Sequence, residues 1–494
     1  MGDDWWFWSY NRGKPLAKDV EEARRPEWAA RLLAGVGHPE AGMRVAVVTG
    51  SKGKGTTAFL LARLWERLDP DGGPVGLFVG PHLHDVRERI RLREEPIPHE
   101  AFLHFAAEVR PVYASLASEV RHEAGEYIGP LAPLLAVAFL YFRASGVRRA
   151  VLEVGRGGLY DEVNVVPHEA AVITALFPEH LEAFGPTLDH VARQKWGIVT
   201  RDVRDVFVGA LDVEGLRALG RVAEERQGSA WVRAHFSHER FASEPLPPAA
   251  GEDEARRTAV YPRLFLYGRD FAACDVRLVP EATTFRYCED AGATREGSAT
   301  ALRQEAELAG EEIVLPLLGA HQARNYALAY RAARRLAGDP PLAGGRRLED
   351  PLPWPGRLER LGREPDVLVD GAISRQAAEE VRRVLEEAFG IPPRPLVVVL
   401  GLPDGKDVEG VADTFAPVAR RLLLVPVVAP HLRPADYSPV WGKYAHAEEE
   451  RELGAAVNRA LEEAGRSGVV LFAGTQSFVA AVRREWFARA ERGE

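Results

Sequence analysis

The segment Val45-Ala-Val-Val-Thr-Gly-Ser-Lys-Gly-Lys-Gly-Thr-Thr57 decides the fold of the first half of this 494-residue chain. The apolar run from Arg44 to Thr49 predicts a buried strand, and the apolar spacing from Thr57 to Leu68 predicts a helix packed on it. Glycines between a strand and a helix let backbone N–H groups and the positive helix end bind phosphate. The segment therefore predicts a nucleotide-binding turn. A glycine-rich turn without a nucleotide is the alternative.

Individual residues of this turn have specific expected uses. Lys54 would reach the β- and γ-phosphates of a nucleotide, and the hydroxyl of Thr56 would bind Mg²⁺, as in phosphate-binding loops generally. The strict pattern Gly-x-x-x-x-Gly-Lys-Ser/Thr is not met, because Val48 stands where it needs glycine. The predicted nucleotide contacts in this segment are Gly50, Ser51, Lys52, Gly53, Lys54, Gly55, Thr56 and Thr57.

Alternating apolar runs and helical stretches predict two α/β units. Runs at 150–154, 170–174 and 206–208 predict a parallel sheet with helices on both faces. From about residue 229 to 312 the helical period fades, which predicts a β-rich insertion. A glycine- and proline-rich stretch at 338–347 predicts a linker. The predicted domains are a phosphate-loop ATP-binding domain at 1–337 and a smaller domain at 348–494.

Apolar runs in the second half resemble those of the first. They predict a smaller, Rossmann-like sheet with helices between its strands. These runs lie at 367–369, 396–400, 422–425 and 469–472. The predicted fold class is therefore a phosphate-loop, parallel-sheet domain with a β-rich insertion, followed by a Rossmann-like α/β domain.

Composition and charge exclude several classes of protein. A net charge of −9 offers no basic surface for nucleic acid. The longest apolar run, at 131–142, is shorter than the roughly 20 residues that cross a bilayer, so it predicts a buried helix. The N-terminus does not resemble a secretory signal, and Cys274 and Cys288 are the only cysteines. We therefore expect a cytoplasmic protein with no membrane contact.

Lysine is unusually scarce in this chain. Only seven of its 63 basic residues are lysine, and the others are arginine. This scarcity indicates that a position that keeps lysine needs a compact ammonium or an amine able to lose its proton; chance is the alternative. The lysines that fall in motifs are Lys52, Lys54, Lys195 and Lys406.

Longer motifs follow the phosphate-binding turn in a fixed order. The most specific is Leu152-Glu-Val-Gly-Arg-Gly-Gly-Leu-Tyr-Asp-Glu-Val-Asn164, and others are Gly80-Pro-His-Leu83, Leu318-Gly-Ala-His-Gln-Ala-Arg-Asn325 and Trp354-Pro-Gly-Arg-Leu-Glu359. Together with the turn, they resemble the folylpolyglutamate synthase and dihydrofolate synthase family of the Mur ligase superfamily. The turn of that family is usually written TGTNGKGS. Here Ser51-Lys52 stands in place of its Thr-Asn.

The resemblance implies a metal and phosphate centre. Thr56, Glu153 and His180 are carried over as Mg²⁺ ligands, with two metal sites expected. Lys195 occupies the position at which many members of the superfamily carry a carbamylated lysine. The implied catalytic residues are thus Lys54, His180 and Lys195. The alternatives are a solvated carboxylate for Glu153, an ordinary histidine for His180 and a plain structural lysine for Lys195.

The resemblance also implies contacts for ATP and the acid substrate. Gln322, Asn325, Arg357 and Asp370 correspond to ATP contacts of the second half. The residues expected near the acid are Pro81, His82, Asp161 and Asn164. The family's His-Asn pair after Asp-Gly-Ala is Ile373-Ser374 here, and the usual Ser before Pro81 is Gly80.

The implied function is an ATP-dependent ligase that joins a carboxylate to an amine through an acyl-phosphate. Its expected partners are a folate-like carboxylate, such as a folate or dihydropteroate, and an amino acid such as L-glutamate, with the protein acting as a monomer. One alternative is a Mur-type ligase of a non-folate acid or another amino acid. A second, from a different class, is a nucleotide-binding regulatory subunit without turnover.

Overall fold

The computed structural model contains three sheets flanked by helices. It describes residues 5–16, 24–229, 231–232, 261–289, 311–342, 346–348, 352, 354–427 and 433–492. The two larger sheets are mainly parallel and the smaller one is mainly antiparallel. The predicted fold class, a phosphate-loop α/β domain followed by a Rossmann-like α/β domain, is confirmed.

The first sheet holds the phosphate loop, residues 50–53. Its strands are β1 Arg44–Thr49, β2 Val75–Phe78, β3 Ile90–Leu92, β4 Glu95–Pro96, β5 Arg149–Glu153, β6 Ala170–Ile173, β7 Asp205–Val208 and β8 Arg263–Leu266. Within the described residues their order is β4-β3-β2-β5-β1-β6-β7-β8. β1 pairs in parallel with β5 and β6, and Val48 lies beside Glu153. The loop after β1 therefore lies at the carboxyl edge of the sheet, where ligands of open α/β sheets bind.

Helices cover both faces of this sheet. They are α1 Trp8–Gly13, α2 Glu27–Gly35, α3 Lys54–Leu68, α4 His99–Glu119, α5 Leu131–Ala144, α6 Leu181–Phe184, α7 Leu188–Trp196, α8 Val213–Gln227 and α9 Ala320–Leu336. α5 is the predicted buried helix, and α3 and α9 share a core cluster on the other face. α3 begins at Lys54, three residues earlier than predicted, because Gly53 adopts the left-handed conformation just before it, with φ of +82°. Among the described helices, none is both long and apolar enough to span a lipid bilayer.

The predicted insertion is divided between two sheets. Its first strand, β8, pairs in parallel with β7 and extends the first sheet, where Arg263 Nε lies 2.7 Å from Asp205 Oδ1. The second sheet, in the order β12-β11-β10-β9, consists of β9 Phe271–Val279, β10 Ala282–Glu289, β11 Glu311–Leu315 and β12 Arg346–Leu348. The predicted insertion at about 229–312 thus contains a strand of the first sheet as well as strands of the second, and its limits stay a prediction. The predicted linker at 338–347 also overlaps β12, which pairs with β11.

The third sheet forms the C-terminal unit, residues 357–492. Its strands are β13 Arg357–Arg363, β14 Asp366–Asp370, β15 Leu396–Gly401, β16 Arg421–Leu424, β17 Ala447–Glu449 and β18 Val469–Gly474, in the order β13-β14-β18-β15-β16-β17. Its helices are α10 Arg375–Phe389, α11 Val408–Phe415, α12 Ser438–Lys443, α13 Leu453–Ala464 and α14 Gln476–Arg492. Separate core clusters lie on its two faces. The sheet has the predicted Rossmann-like form, whereas the domain limits at 337 and 348 stay a prediction.

Burial of α5 gives a test of how far this core stabilises the first sheet. Leu135 on α5 is fully buried, whereas Leu103 on α4 is 53% exposed. Leu135→Ala should lower the free energy of unfolding by about 2–5 kcal/mol, because it removes packed atoms and leaves a cavity. The matched control Leu103→Ala should change it by less than about 0.5 kcal/mol. Urea unfolding followed by tryptophan fluorescence measures both; similar losses for the two variants would contradict the assigned burial.

Candidate functional site

The phosphate loop is fixed by hydrogen bonds to the segment that follows β6. Ser51 N–H donates to Ala175 O at 2.8 Å, and Ser51 Oγ donates to Phe177 O at 3.1 Å. Lys54 Nζ donates to the carbonyl of Gly50 at 2.9 Å, so its side chain folds back across the loop. The predicted contact residues 50–57 therefore form one anchored turn at the start of α3, with a lysine lying over it.

Close packing at two glycines brings further predicted residues to the loop. A β-carbon at Gly53 would lie 2.5 Å from Asn325 Oδ1, and one at Gly55 would lie 3.1 Å from Glu153 Oε2. The φ of +82° at Gly53 favours glycine there, and a side chain at Gly55 would require Glu153 to shift by a few tenths of an ångström. Asn325 Nδ2 in turn donates to Gln322 Oε1 at 3.1 Å. Asn325 and Gln322 thus lie beside Gly53 and Glu153 beside Gly55, whereas their contacts to ATP and Mg²⁺ stay predictions.

Glu153 is a buried carboxylate at the carboxyl end of β5. Its side chain is 7% exposed, and its Oε2 accepts a hydrogen bond from Gly80 N–H at 2.9 Å. Burial raises the pKa of Glu153, and the nearby Lys54 and the Gly80 N–H oppose that rise. A buried carboxylate of this kind is stabilised by a bound cation.

Trp354 is a site residue that the sequence reasoning quoted in a motif without giving it a role. Its Nε1 donates to Thr56 Oγ1 at 3.2 Å, and its ring stacks on Phe59 with centroids 4.6 Å apart. Through these contacts, Trp354 packs the segment before the C-terminal unit against the first turns of α3. The only sequence signal was its place beside Pro355, Gly356 and Arg357.

The residues predicted to bind Mg²⁺ are only partly brought together. Glu153 packs against Gly55, the residue that precedes Thr56, and this hydroxyl and carboxylate suit Mg²⁺, which often completes its coordination with phosphates and water. None of the described hydrogen bonds or ion pairs joins His180 to them. Within the described part of the chain, no three His, Cys, Asp or Glu side chains converge on a metal position.

His180 lies at the start of α6 with a left-handed backbone. Its φ is +50°, and its Nδ1 lies 3.9 Å from Glu182 Oε1. Burial lowers the pKa of His180, and Arg156 and Lys195 lower it further, although Glu179 opposes them. The neutral imidazole is the form that can bind metal. A second metal site that uses His180 stays a prediction.

Lys195 is a buried amine paired with a carboxylate. Its side chain is 1% exposed, and its Nζ lies 2.6 Å from Glu179 Oε1. Burial lowers the pKa of Lys195 to about 8, with Lys54 adding to the effect and Glu179 opposing it. Burial alone would raise the pKa of Glu179, but Lys195 and Lys54 bring it below its ordinary value. Glu179, which stands where the family has Asp, is a site residue absent from the predicted set.

The C-terminal unit contributes Arg357 and Asp370, which face each other across β13 and β14. Arg357 Nη1 donates to Gln476 Oε1 at 2.8 Å, and Asp370 Oδ2 accepts from Leu358 N–H at 2.8 Å. Burial lowers the pKa of Arg357 and raises that of Asp370. Arg357 is also within electrostatic range of Glu153. The edge of the third sheet therefore lies next to the phosphate loop.

Two of the predicted substrate residues lie near Glu153. Pro81 is exposed and follows Gly80, the residue that donates to Glu153. The Nδ1 atom of His82 accepts from Arg89 Nε at 2.9 Å, and Arg89 is itself within electrostatic range of Glu153. This segment thus forms one wall of the site.

The other two predicted substrate residues make internal contacts. Asp161 is fully buried, and its carboxylate accepts from Val163 N–H at 3.1 Å and from Arg24 Nη2 at 3.3 Å. Asn164 Nδ2 donates to Gly197 O at 3.2 Å, next to the end of α7. These contacts brace the loop after β5 against its neighbours. A substrate contact by Asp161 or Asn164 stays a prediction.

The structure is an α/β protein in which a glycine-rich phosphate loop lies beside a Rossmann-like C-terminal unit. Residues 356–476 match the family described as "Mur ligase, glutamate ligase domain". A folylpolyglutamate synthase of Lacticaseibacillus casei is 28% identical over 408 residues, covering 80% of this chain and 79% of that protein. The chain is thus similar to a folylpolyglutamate synthase over most of its length, and the predicted resemblance is confirmed.

Further relatives and solved structures agree with this assignment. A probable bifunctional folylpolyglutamate synthase/dihydropteroate synthase of Haloferax volcanii is 29% identical over 458 residues, covering 92% of this chain but only 48% of that protein. The chain therefore spans about half the length of that relative. The Mycobacterium tuberculosis folylpolyglutamate synthase complexed with ADP and AMPPCP has a TM-score of 0.73 at 21% identity, covering 94% of this chain and 95% of its own. This structural likeness supports the fold.

Proposed function

We propose that this protein is an ATP-dependent ligase that joins a carboxylic acid to an amino acid through an acyl-phosphate, with release of ADP and phosphate. The observation that carries the proposal is the meeting of Lys54, Glu153 and Arg357 at the phosphate loop. One of these residues belongs to the C-terminal unit. The geometry therefore suits a reaction in which the nucleotide is held between the two units.

The proposed reaction transfers the γ-phosphoryl group to the acid and then forms the amide. The negative charge on the transferred group must be stabilised during the first of these steps. An oxygen of the acid bonds to the γ-phosphorus as the bond to the β–γ bridging oxygen breaks, and ADP leaves. Lys54 and Arg357 would stabilise the negative charge on the transferred group, which is the main catalytic need of phosphoryl transfer. Mg²⁺ bound by Thr56 and Glu153 would neutralise phosphate charge. The amine then attacks the acyl carbon, and phosphate leaves.

Glutamate and a folate-like acid are the proposed substrates. The curated relatives that carry the name folylpolyglutamate synthase support this choice, as does an FPGS–AMPPCP–folate complex with a TM-score of 0.66 at 24% identity, covering 97% of this chain and 98% of its own. Arg156, Lys195 and Lys406 all act electrostatically on His180. A basic environment of this kind would attract an anionic amino acid. Glu179 partly balances the charge.

We propose that the protein acts as a cytoplasmic monomer. The loop, Glu153 and Arg357 all belong to one chain, so the proposed site needs no partner subunit. Cys274 and Cys288, the two described cysteines, form no disulfide, which is usual in a reducing compartment.

A coupled assay of ADP release tests the proposed function. ADP should form only when ATP, an acid and an amine are all present, and folate, dihydropteroate and non-folate acids with glutamate are compared in parallel. Lys54→Ala and Glu153→Gln should each lower kcat at least about a hundredfold, because the first removes a cation at the phosphates and the second removes a ligand of the proposed Mg²⁺. Lys443→Ala, at an exposed pair with Asp413, is the control and should keep full activity.

Two other results would contradict parts of this proposal. If ADP forms with a non-folate acid but not with folate or dihydropteroate, the proposed ligase activity stands and the proposed folate substrate is wrong. Nucleotide binding without ADP release for any pair of substrates would favour the regulatory subunit.

Carbamylation of Lys195 is a separate proposal within this function. The neutral amine would bond to the carbon of CO₂ and release a proton, giving a carboxylate-like group near Glu179. With a pKa of about 8, Lys195 has a substantial neutral fraction at mildly alkaline pH. The carbamate should therefore increase as the pH rises from 7 towards 8.5 at constant dissolved CO₂.

The adduct can be measured by ¹³C NMR of the protein in ¹³C-labelled bicarbonate. A carbamate signal that persists in Lys443→Ala and disappears in Lys195→Met is the expected result. An unchanged spectrum in Lys195→Met, or no signal at any pH tested, would leave Lys195 as a structural lysine.

A further inference from the structure

Lys52 is the residue of the phosphate loop whose ammonium has no hydrogen-bond or ion-pair partner in the described part of the chain. Its Nζ makes no hydrogen bond or ion pair with any described residue. Three other lysines do have such partners: Lys54 donates to Gly50 O, Lys195 pairs with Glu179, and Lys443 pairs with Asp413. Lys52 therefore has an unused set of donors at the place where the loop faces the C-terminal unit.

The surroundings of Lys52 differ from those of an ordinary surface lysine. The residue is only partly exposed, and its carbonyl is held by a hydrogen bond from Thr174 Oγ1. Its backbone is thus fixed in the anchored loop. A partly buried ammonium without a partner is unfavourable, so an anion that binds beside it would stabilise it.

Charged groups from three parts of the fold act on Lys52. They are Lys54 at the start of α3, Glu179 after β6, and Arg357 and Asp370 on the third sheet. Two of these groups are cations and two are carboxylates. Burial, followed by Lys54, lowers the pKa of Lys52 to about 8, although Asp370 and Glu179 oppose the change. The local charges therefore do not fully compensate this ammonium.

We propose that the Lys52 side chain is a second phosphate-binding cation of the loop, which contacts the phosphates of a nucleoside di- or triphosphate from the side of the C-terminal unit. The inference rests on the proposed function, because it needs a nucleotide on the loop. It goes beyond that function because it gives the side chain of Lys52 a role of its own. The folylpolyglutamate synthase family usually has Asn at this position, and the amide of Asn carries no charge that could pair with a phosphate.

The position of Lys52 between the loop and the C-terminal unit leads to a prediction about its pKa. Without a nucleotide the carboxylates that act electrostatically on it are those of Asp370 and Glu179, and a bound nucleotide would add its phosphates. Binding of a nucleotide should then raise the pKa of Lys52 and draw a proton from solution. Proton uptake is a readout that loss of a purely structural contact would not produce.

Isothermal titration calorimetry of the 494-residue chain with ADP and with AMPPCP, in the presence of Mg²⁺, tests this inference. At pH 7, Lys52→Gln and Lys52→Asn should weaken binding about tenfold or more, because each removes a charged donor. Lys52→Arg keeps the charge and should stay within a few fold of the wild type. Lys443→Gln removes an exposed lysine remote from the loop in sequence and is the matched control.

The same titrations at pH 8, in two buffers with different enthalpies of ionisation, measure the proton uptake. The wild type and Lys443→Gln should take up roughly half a proton per nucleotide, as expected for an amine with a pKa of about 8, and Lys52→Gln should take up clearly less. Lys195 also has a pKa of about 8 and could contribute to the measured proton uptake. The variant Lys195→Met removes that contribution and should leave the proton uptake by Lys52 unchanged.

The possible results lead to different conclusions. Unchanged affinity and unchanged proton uptake in a folded Lys52→Gln would overturn the role of Lys52 and leave the proposed ligase intact. A wild type that binds neither nucleotide would overturn the proposed function and this inference together. Lys52→Arg with full affinity beside a weakened Lys52→Gln supports a charge contact and excludes a general loss of folding.

Discussion

The structure depends on one constraint, which is that the backbone of residues 50–53 turns sharply at the carboxyl edge of the sheet and leads directly into α3. This turn requires β1 to lie between β5 and β6, because Ser51 is anchored to the segment after β6 and Gly55 lies against Glu153 at the end of β5. Helix dipole and free N–H groups then point to the same place. The other parts of the site are arranged around this turn.

The charges around the turn suit an anion that is large and strongly charged. Lys52, Lys54 and Arg357 come from both units, and the carboxylates of Glu153 and Asp370 are buried enough for their pKa values to be raised. Buried groups of both signs are unfavourable unless they are compensated. Phosphates with a bound Mg²⁺ supply charge of both signs at once. This is the physical reason why a metal-bound nucleotide suits the site better than either ion alone.

Local patterns predicted a large part of this architecture. β1, the turn and α3 are contiguous in sequence, and the apolar runs of the third sheet correspond to observed strands because both faces of that sheet are buried. Local sequence patterns do not predict contacts between segments that are far apart in the chain. Trp354 stacks on Phe59, almost 300 residues away, and no periodicity indicates such a pair. The addition of β8 to the first sheet likewise depends on the edge left open by β7.

The site residues divide in the same way. Lys54 and Thr56 follow from the turn itself, whereas the partnership of Lys195 with Glu179 depends on how α7 packs beside the segment after β6. Asp161 differs from these residues. Its motif predicts a substrate contact, whereas in the structure its carboxylate accepts hydrogen bonds from Val163 N–H and Arg24. Most of the residues that motif resemblance selected lie around the phosphate loop, and their roles stay predictions. Burial and hydrogen bonding were needed to separate groups that face the ligand from groups that hold the loops.

The central claim, that the acid is activated as an acyl-phosphate, can be tested by following the oxygen of its carboxylate. The acid is labelled with ¹⁸O in both carboxylate oxygens, and the inorganic phosphate released during ligation is analysed by mass spectrometry. The account predicts one labelled oxygen in each phosphate, because the acid oxygen that bonds to phosphorus leaves with it when the amine attacks. Amide formation with release of unlabelled phosphate would contradict the account.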